Sequence, residues 1–130
     1  AKFIVSPHLD KKIGEVCNKN EVLWVPGCGT LSEMIKAHKI GAKLIKLFPG
    51  SVYSSKFISS VLAPCPWLKI MPTGGVTTEQ SNIQDWLASG AYCLGMGSNL
   101  FPSNLLSSND TTELEKHINS VLKIIRSVSK

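Results

Sequence analysis

The sequence predicts an α/β fold in which short parallel strands alternate with helices, and three observations carry that expectation. Five apolar runs begin near residues 3, 22, 43, 68 and 91, so a unit recurs every 19 to 25 residues. Each run ends at proline or glycine, as strands entering tight loops do. Between successive runs lie apolar residues at helical spacing, and such β-α repeats build parallel sheets. Two architectures meet this description, an open doubly wound sheet and part of a (β/α)8 barrel. The last strand runs into glycines, a polar turn and a final helix, like the phosphate-holding end of a barrel. The expectation is therefore a (β/α)8 barrel of which residues 1–130 form the carboxyl-terminal part, about the last five units. Three further units, on the order of 70 residues, are expected to precede them in the complete domain.

In chain order, Phe3-Ile4-Val5-Ser6-Pro7 is the first strand, and Asp10 caps a helix with Ile13, Val16 and Cys17 on one face. Val22-Leu23-Trp24-Val25-Pro26-Gly27 is the second strand. Thr30 and Glu33 then form a capping box for a helix carrying Met34, Ile35 and Ala37, which ends near Gly41. The third strand lies within Ala42–Gly50; Phe57, Ile58, Val61 and Leu62 follow at helical spacing, up to the Pro64-Cys65-Pro66 break. Leu68–Pro72 is the fourth strand. Thr77 and Gln80 predict a second capping box, for a helix burying Ile83, Trp86 and Leu87. Ala91–Leu94 is the fifth strand, and a helix capped by Asp110 or Thr111 closes the chain with Leu114, Ile118, Val121, Leu122 and Ile125.

Bulk properties narrow the function. At 43% hydrophobic and 18% charged residues the chain suits a globular interior. No apolar run approaches the ~20 residues of a membrane helix, and no signal-peptide pattern is visible, so no membrane partner and a cytoplasmic location are expected. Cys17, Cys28, Cys65 and Cys93 follow no Cys-x-x-Cys spacing, so reduced thiols are expected and no metal site. The net charge of +5 is spread along the chain, and its longest basic run is Lys11-Lys12. Nucleic-acid binding usually needs clustered cations, so a small anionic molecule is the expected partner.

The chemistry centres on Lys46. Alternation along Leu44-Ile45-Lys46-Leu47-Phe48 points Leu44, Lys46 and Phe48 one way and Ile45 and Leu47 the other. A lysine among apolar neighbours loses hydration, its pKa falls, and the neutral amine can attack a carbonyl to form a Schiff base. A structural ion pair or a lysine snorkelling from an edge strand is the bland alternative. Ligands of parallel sheets bind at the strands' carboxyl ends. Gathered there are Ser6-Pro7, Pro26-Gly27, Lys46 with Phe48, Thr73-Gly74-Gly75 and Gly97-Ser98. Glycines in two neighbouring loops let backbone amides approach an anion. The implied substrate carries a carbonyl for Lys46 and a phosphate for Gly74, Gly75, Gly97 and Ser98.

The residues themselves point to a family. Phe3 to Pro7, Val25-Pro26-Gly27, Ile45-Lys46-Leu47-Phe48-Pro49 and Met71-Pro72-Thr73-Gly74-Gly75-Val76 resemble the KDPG/KHG aldolases. The resemblance spans residues 3 to about 102 and implies a (β/α)8 barrel that is a homotrimer when full length. It implies a class I aldolase that needs no cofactor and no metal. Such an enzyme cleaves 2-dehydro-3-deoxy-6-phosphogluconate to pyruvate and glyceraldehyde 3-phosphate, or 4-hydroxy-2-oxoglutarate to pyruvate and glyoxylate. Position by position, it implies Lys46 as the Schiff-base lysine and Pro7, Phe48 and Thr73 as walls of the pyruvate pocket. It implies Gly74, Gly75, Gly97 and Ser98 as the phosphate site. The chain departs from the family pattern at His8, Met96 and Asn99. None of its nine acids lies at a strand's carboxyl end, and the resemblance implies a base, a glutamate with a nearby arginine, in the preceding units. The alternative is a truncated or non-catalytic phosphate-binding half-barrel. His8 reads as a solvent-facing loop residue, and His38 and His117 as helix-surface residues.

Overall fold

The computed structural model describes residues 1–107 and 111–128. Its strands are parallel and follow chain order. Strand β1 (Phe3–Val5) pairs with β2 (Leu23–Val25), β3 (Gly27–Cys28) with β4 (Ile45–Leu47), and β4 with β5 (Ile70–Pro72). β2 and β3 form one apolar run interrupted at Pro26, which has no N–H to give a ladder. The Pro26 carbonyl still accepts from Lys46 N at 2.9 Å, so the run links the two sheets. A doubly wound sheet reverses its strand order at a switch point. No reversal occurs among the described strands, an order consistent with part of a barrel.

Six helices follow the strands: α1 (Lys11–Lys19), α2 (Leu31–Lys39), α3 (Lys56–Leu62), α4 (Gln80–Ala88), α5 (Ser103–Leu106) and α6 (Thr111–Val128). Ile45 and Leu47 of β4 and Ile70 of β5 are buried with Met34 and Ala37 of α2 and Ile58 and Val61 of α3, which puts the core between sheet and helices. Cys17, Cys28 and Cys65 fill this core as small apolar residues. β1 has a single partner strand, and Phe3 is 59% exposed, with Val5 and Leu23 also open to solvent. Among the described residues no helix is long and apolar enough to cross a membrane.

The caps explain where helices begin. Asp10 accepts from Lys12 N at 2.8 Å, starting α1 as expected. The buried face of α1 is corrected, however: Val16 is 62% exposed, and Gly14 lies against the core instead. A Cβ at Gly14 would stand 2.4 Å from the Trp24 ring, so only glycine lets α1 approach β2 this closely. The Thr30–Glu33 box forms, with Glu33 N 3.2 Å from Thr30 Oγ1 and Thr30 N 2.9 Å from Glu33 Oε2. The Thr30 hydroxyl, then the Gly29 amide, hold the Glu33 carboxyl below its ordinary 4.5. A carboxyl held low stabilises the fold above its unfolded pKa, and that gain is lost as pH falls through the folded value. Thr30→Ala is expected to cost about 1 kcal/mol in urea unfolding at neutral pH, and less in acid once Glu33 is protonated.

Two predicted elements differ. The Thr77–Gln80 box does not form, because α4 starts only at Gln80 with Glu79 as its cap. Asn82 takes over the loop, accepting from Thr77 N at 2.8 Å and donating to Gly75 O at 3.3 Å. The Ala91–Leu94 run is not a regular strand. Tyr92 N reaches Ile70 O at 2.8 Å and Gly95 N, just past the run, reaches Pro72 O at 2.9 Å, so three steps along this segment match two along β5. The extra residue breaks the ladder and leaves a single bridge, Thr73 to Gly95. In the final helix Thr111 is already helical, the cap candidate Asp110 lies outside the described residues, and Leu122 is exposed.

Candidate active site

Lys46 is the middle residue of β4, in register with Gly27 on one side and Met71 on the other. Ile45 and Leu47, pointing to the helices, are fully buried, whereas Leu44, Lys46 and Phe48 share the opposite, half-buried face. The predicted alternation therefore holds. Lys46 is more accessible than expected, being only half-buried. Its Nζ stands 4.2 Å from the centre of the Phe48 ring. Burial lowers the ammonium pKa from the ordinary 10.5, and no carboxylate contributes. Among the described residues Lys46 makes no ion pair; the two bridges, Lys11–Glu15 and Lys116–Glu113, lie on helix surfaces. No ion pair among the described residues accounts for this lysine.

Gly27 opens the flank of Lys46. A Cβ there would lie 2.1 Å from the Pro7 carbonyl oxygen, so glycine lets the end of β1 press against β3. That contact places Pro7 on the chain just before the exposed His8. The turn is pinned by Ser6, whose hydroxyl donates to His8 O at 2.9 Å and accepts from Trp24 Nε1 at 3.3 Å. Cys28, next along β3, is no rival nucleophile. Burial, with a smaller push from Glu33, raises its thiol to about 12, so it stays protonated at neutral pH.

Thr73 follows β5, one step beyond the Leu47–Pro72 pair. Its carbonyl accepts from Gly50 N at 2.7 Å, joining the loops after β4 and β5. Its hydroxyl is buried against Gly95 and has no hydrogen-bond partner among the described residues. Gly74 and Gly75 take φ values of +85° and +74°, a region that side-chain-bearing residues rarely adopt. Gly75 also borders a cleft of about 310 Å³ with Ser51, Ser54, Asn82 and Trp86. Gly97 and Ser98 are exposed, and a Cβ at Gly97 would meet nothing within 4 Å.

The predicted residues thus lie along one edge of the sheet. Lys46 lies on β4 with Phe48 just after it, Thr73 just after the neighbouring β5, Pro7 lies across Gly27, and the two glycine loops follow β5 and the fifth run. Sequence reasoning missed Asn82, and it named Ser6, Asn99 and His117 without the hydrogen bonds by which they hold these loops. His117 lies half-buried on the surface of α6, and its Nε2 stands 3.1 Å from Asn99 O. No local pattern signals contacts made across 18 residues.

A chain-ordered parallel sheet with a strand-borne amine and two glycine loops at its strand ends defines the class as an α/β protein. The description "Aldolase: KDPG and KHG aldolase" belongs to the family model that matches residues 1–117, and the chain belongs to that family. The 2-dehydro-3-deoxy-phosphogluconate aldolase of Haemophilus influenzae is 32% identical over 127 residues, covering 97% of this chain and 59% of that protein. Among solved structures, the native KDPGal structure superposes with a TM-score of 0.86 at 23% identity, covering 98% of this chain and 60% of that one. The KDPG aldolase of Legionella pneumophila, with pyruvate captured as a covalent carbinolamine, gives 0.73 at 20% identity, covering 100% and 59%. The chain spans roughly three fifths of each of these relatives.

Proposed function

We propose that this chain is the catalytic, carboxyl-terminal part of a (β/α)8-barrel class I aldolase acting on phosphorylated keto-deoxy sugar acids. The observation that carries the proposal is Lys46, an amine with a lowered pKa and no ion-pair partner among the described residues, on the strand before the Thr73-Gly74-Gly75 loop. Strands paired in chain order, and a superposition that takes in 98% of this chain and 60% of the relative, support the partial barrel. The carbinolamine captured in the Legionella relative is the adduct an amine and pyruvate form.

The neutral Lys46 amine attacks the C2 ketone, and loss of water from the carbinolamine gives a protonated imine. The imine nitrogen takes up the electron pair as the C3–C4 bond breaks, releasing an aldehyde. The remaining enamine gains a proton at C3, and water returns pyruvate and free Lys46. Phe48 and Pro7 wall the pyruvyl group, Thr73 closes its far side, and the amides of Gly74, Gly75 and Gly97 with the Ser98 hydroxyl hold the phosphate. Proton transfer needs a group these residues do not bring to Lys46. It comes in this reading from the units completing the barrel.

A second reading, a phosphate-binding sheet without lysine chemistry, draws on the missing carboxylate at Lys46. Pyruvate release separates the two. With 2-dehydro-3-deoxy-6-phosphogluconate as substrate and lactate dehydrogenase as reporter, the chain together with the units that complete the barrel is expected to release pyruvate, and release should persist in the presence of a chelator. Tight binding of the sugar acid with no pyruvate formed would favour the second reading.

A further inference from the structure

The two glycine loops reach their places by different means. The first is fixed from its own side, by Gly50 N on Thr73 O at 2.7 Å and by Asn82 on Gly75 O and Thr77 N at 3.3 and 2.8 Å. The second leaves the sheet after Gly95 N meets Pro72 O at 2.9 Å, and then runs exposed through Gly97 and Ser98. Leu100 N and Phe101 N close a turn on Gly97 O at 2.9 and 3.0 Å, which shapes this loop without fixing where it stands. One side chain crosses between the loops. Asn99 Nδ2 donates to Val76 O, 2.9 Å away and 23 residues earlier. Behind it, His117 of α6 places Nε2 3.1 Å from Asn99 O. A carbonyl oxygen only accepts, so this bond requires the proton on Nε2. α6 is itself packed on α4 and α5, so the bond ties the loop to the helical layer.

We propose, resting on the anion-seat reading above, that Asn99 is a positioning residue for phosphate. Braced by His117, it sets the separation of the Gly97–Ser98 loop from the Gly74–Gly75 loop and so selects phosphorylated over unphosphorylated keto acids. A loop that lacks this tether must be ordered by the ligand itself, and that cost falls on binding of the group the loop holds. Lys46 lies on β4, outside the tether, so the amine chemistry does not share the loss.

In the full chain, Asn99→Ala is expected to raise KM for the phosphorylated keto-deoxy sugar acid about tenfold, the ratio that ~1.4 kcal/mol from one hydrogen bond carries. KM for the unphosphorylated 4-hydroxy-2-oxoglutarate should stay within about twofold. His117→Ala should give the same split with smaller size, and His117→Gln, which keeps an N–H donor, should restore it. A purely structural role would move both substrates together. Equal changes for the two substrates, or an unchanged KM for the phosphorylated one, would overturn the proposal. Borohydride trapping of pyruvate on the wild type keeps the two levels apart. An adduct on Lys46 with an unchanged KM ratio sinks the role of Asn99 alone, whereas no adduct sinks the aldolase reading and the role of Asn99 with it.

Discussion

Lys46→Met is expected to lower pyruvate release by at least about 1,000-fold while leaving the fold intact. Methionine is close to lysine in length and apolar, so it keeps the contact with Phe48 and sits without penalty on a half-buried face. What it removes is the nitrogen. Lys46→Arg should be as inactive, since a guanidinium stays protonated and forms no imine. In the wild type, the rate of imine formation should rise with pH through an inflection below 10.5. The sign follows from burial, which disfavours the charged ammonium and lowers the folded pKa. For the same reason Lys46 slightly opposes folding at low pH, and that opposition fades as pH rises through its folded pKa. An inflection at or above the ordinary value would remove the physical basis for activating this amine.

The second large effect is on the scaffold. Gly27→Ala is expected to destabilise the full chain by about 3 kcal/mol, the upper end for an overpacked site. The added Cβ would stand 2.1 Å from the Pro7 carbonyl oxygen and 2.8 Å from His8 N, and backbone cannot swing away as a side chain can. Relief requires parting the end of β1 from β3, which also moves Pro7 away from the flank of Lys46. Thermal unfolding should show a fall in Tm on the order of 10 °C. Gly97→Ala, where the new Cβ meets nothing within 4 Å, serves as the control and should shift stability by no more than about 0.5 kcal/mol. Similar shifts for the two variants would mean that the close approach of β1 and β3 is misplaced.

What was legible in the sequence is what local chemistry dictates. The alternation around Lys46 announced which residues face the helices, and burial of Ile45 and Leu47 agrees. Thr30 and Glu33 sit three residues apart and cap α2 because every partner of that box is nearby in the chain. The Thr77–Gln80 pair has the same spacing and fails, because Asn82 satisfies the Thr77 amide first. Which of two local hydrogen bonds wins depends on where the loop must go. The fifth run looked like a strand because its residues suit one, but its offset against β5 is a property of pairing, invisible in either segment alone. The loop brace at Asn99 and His117 joins positions far apart in sequence, and neither residue type signals it. Exposure of Lys46 was misjudged for a related reason: burial of a strand face is set by what packs on it from elsewhere in the chain, and Lys46 is only half-buried.

The central claim is that Lys46 is the amine that binds the substrate ketone. Incubation of the full chain with pyruvate and borohydride, followed by peptide mass analysis, tests it most directly. The account predicts one reduced pyruvyl adduct, located on Lys46, formed faster as pH rises and lost in Lys46→Met. No adduct, or an adduct carried by another lysine and unchanged in Lys46→Met, would contradict it.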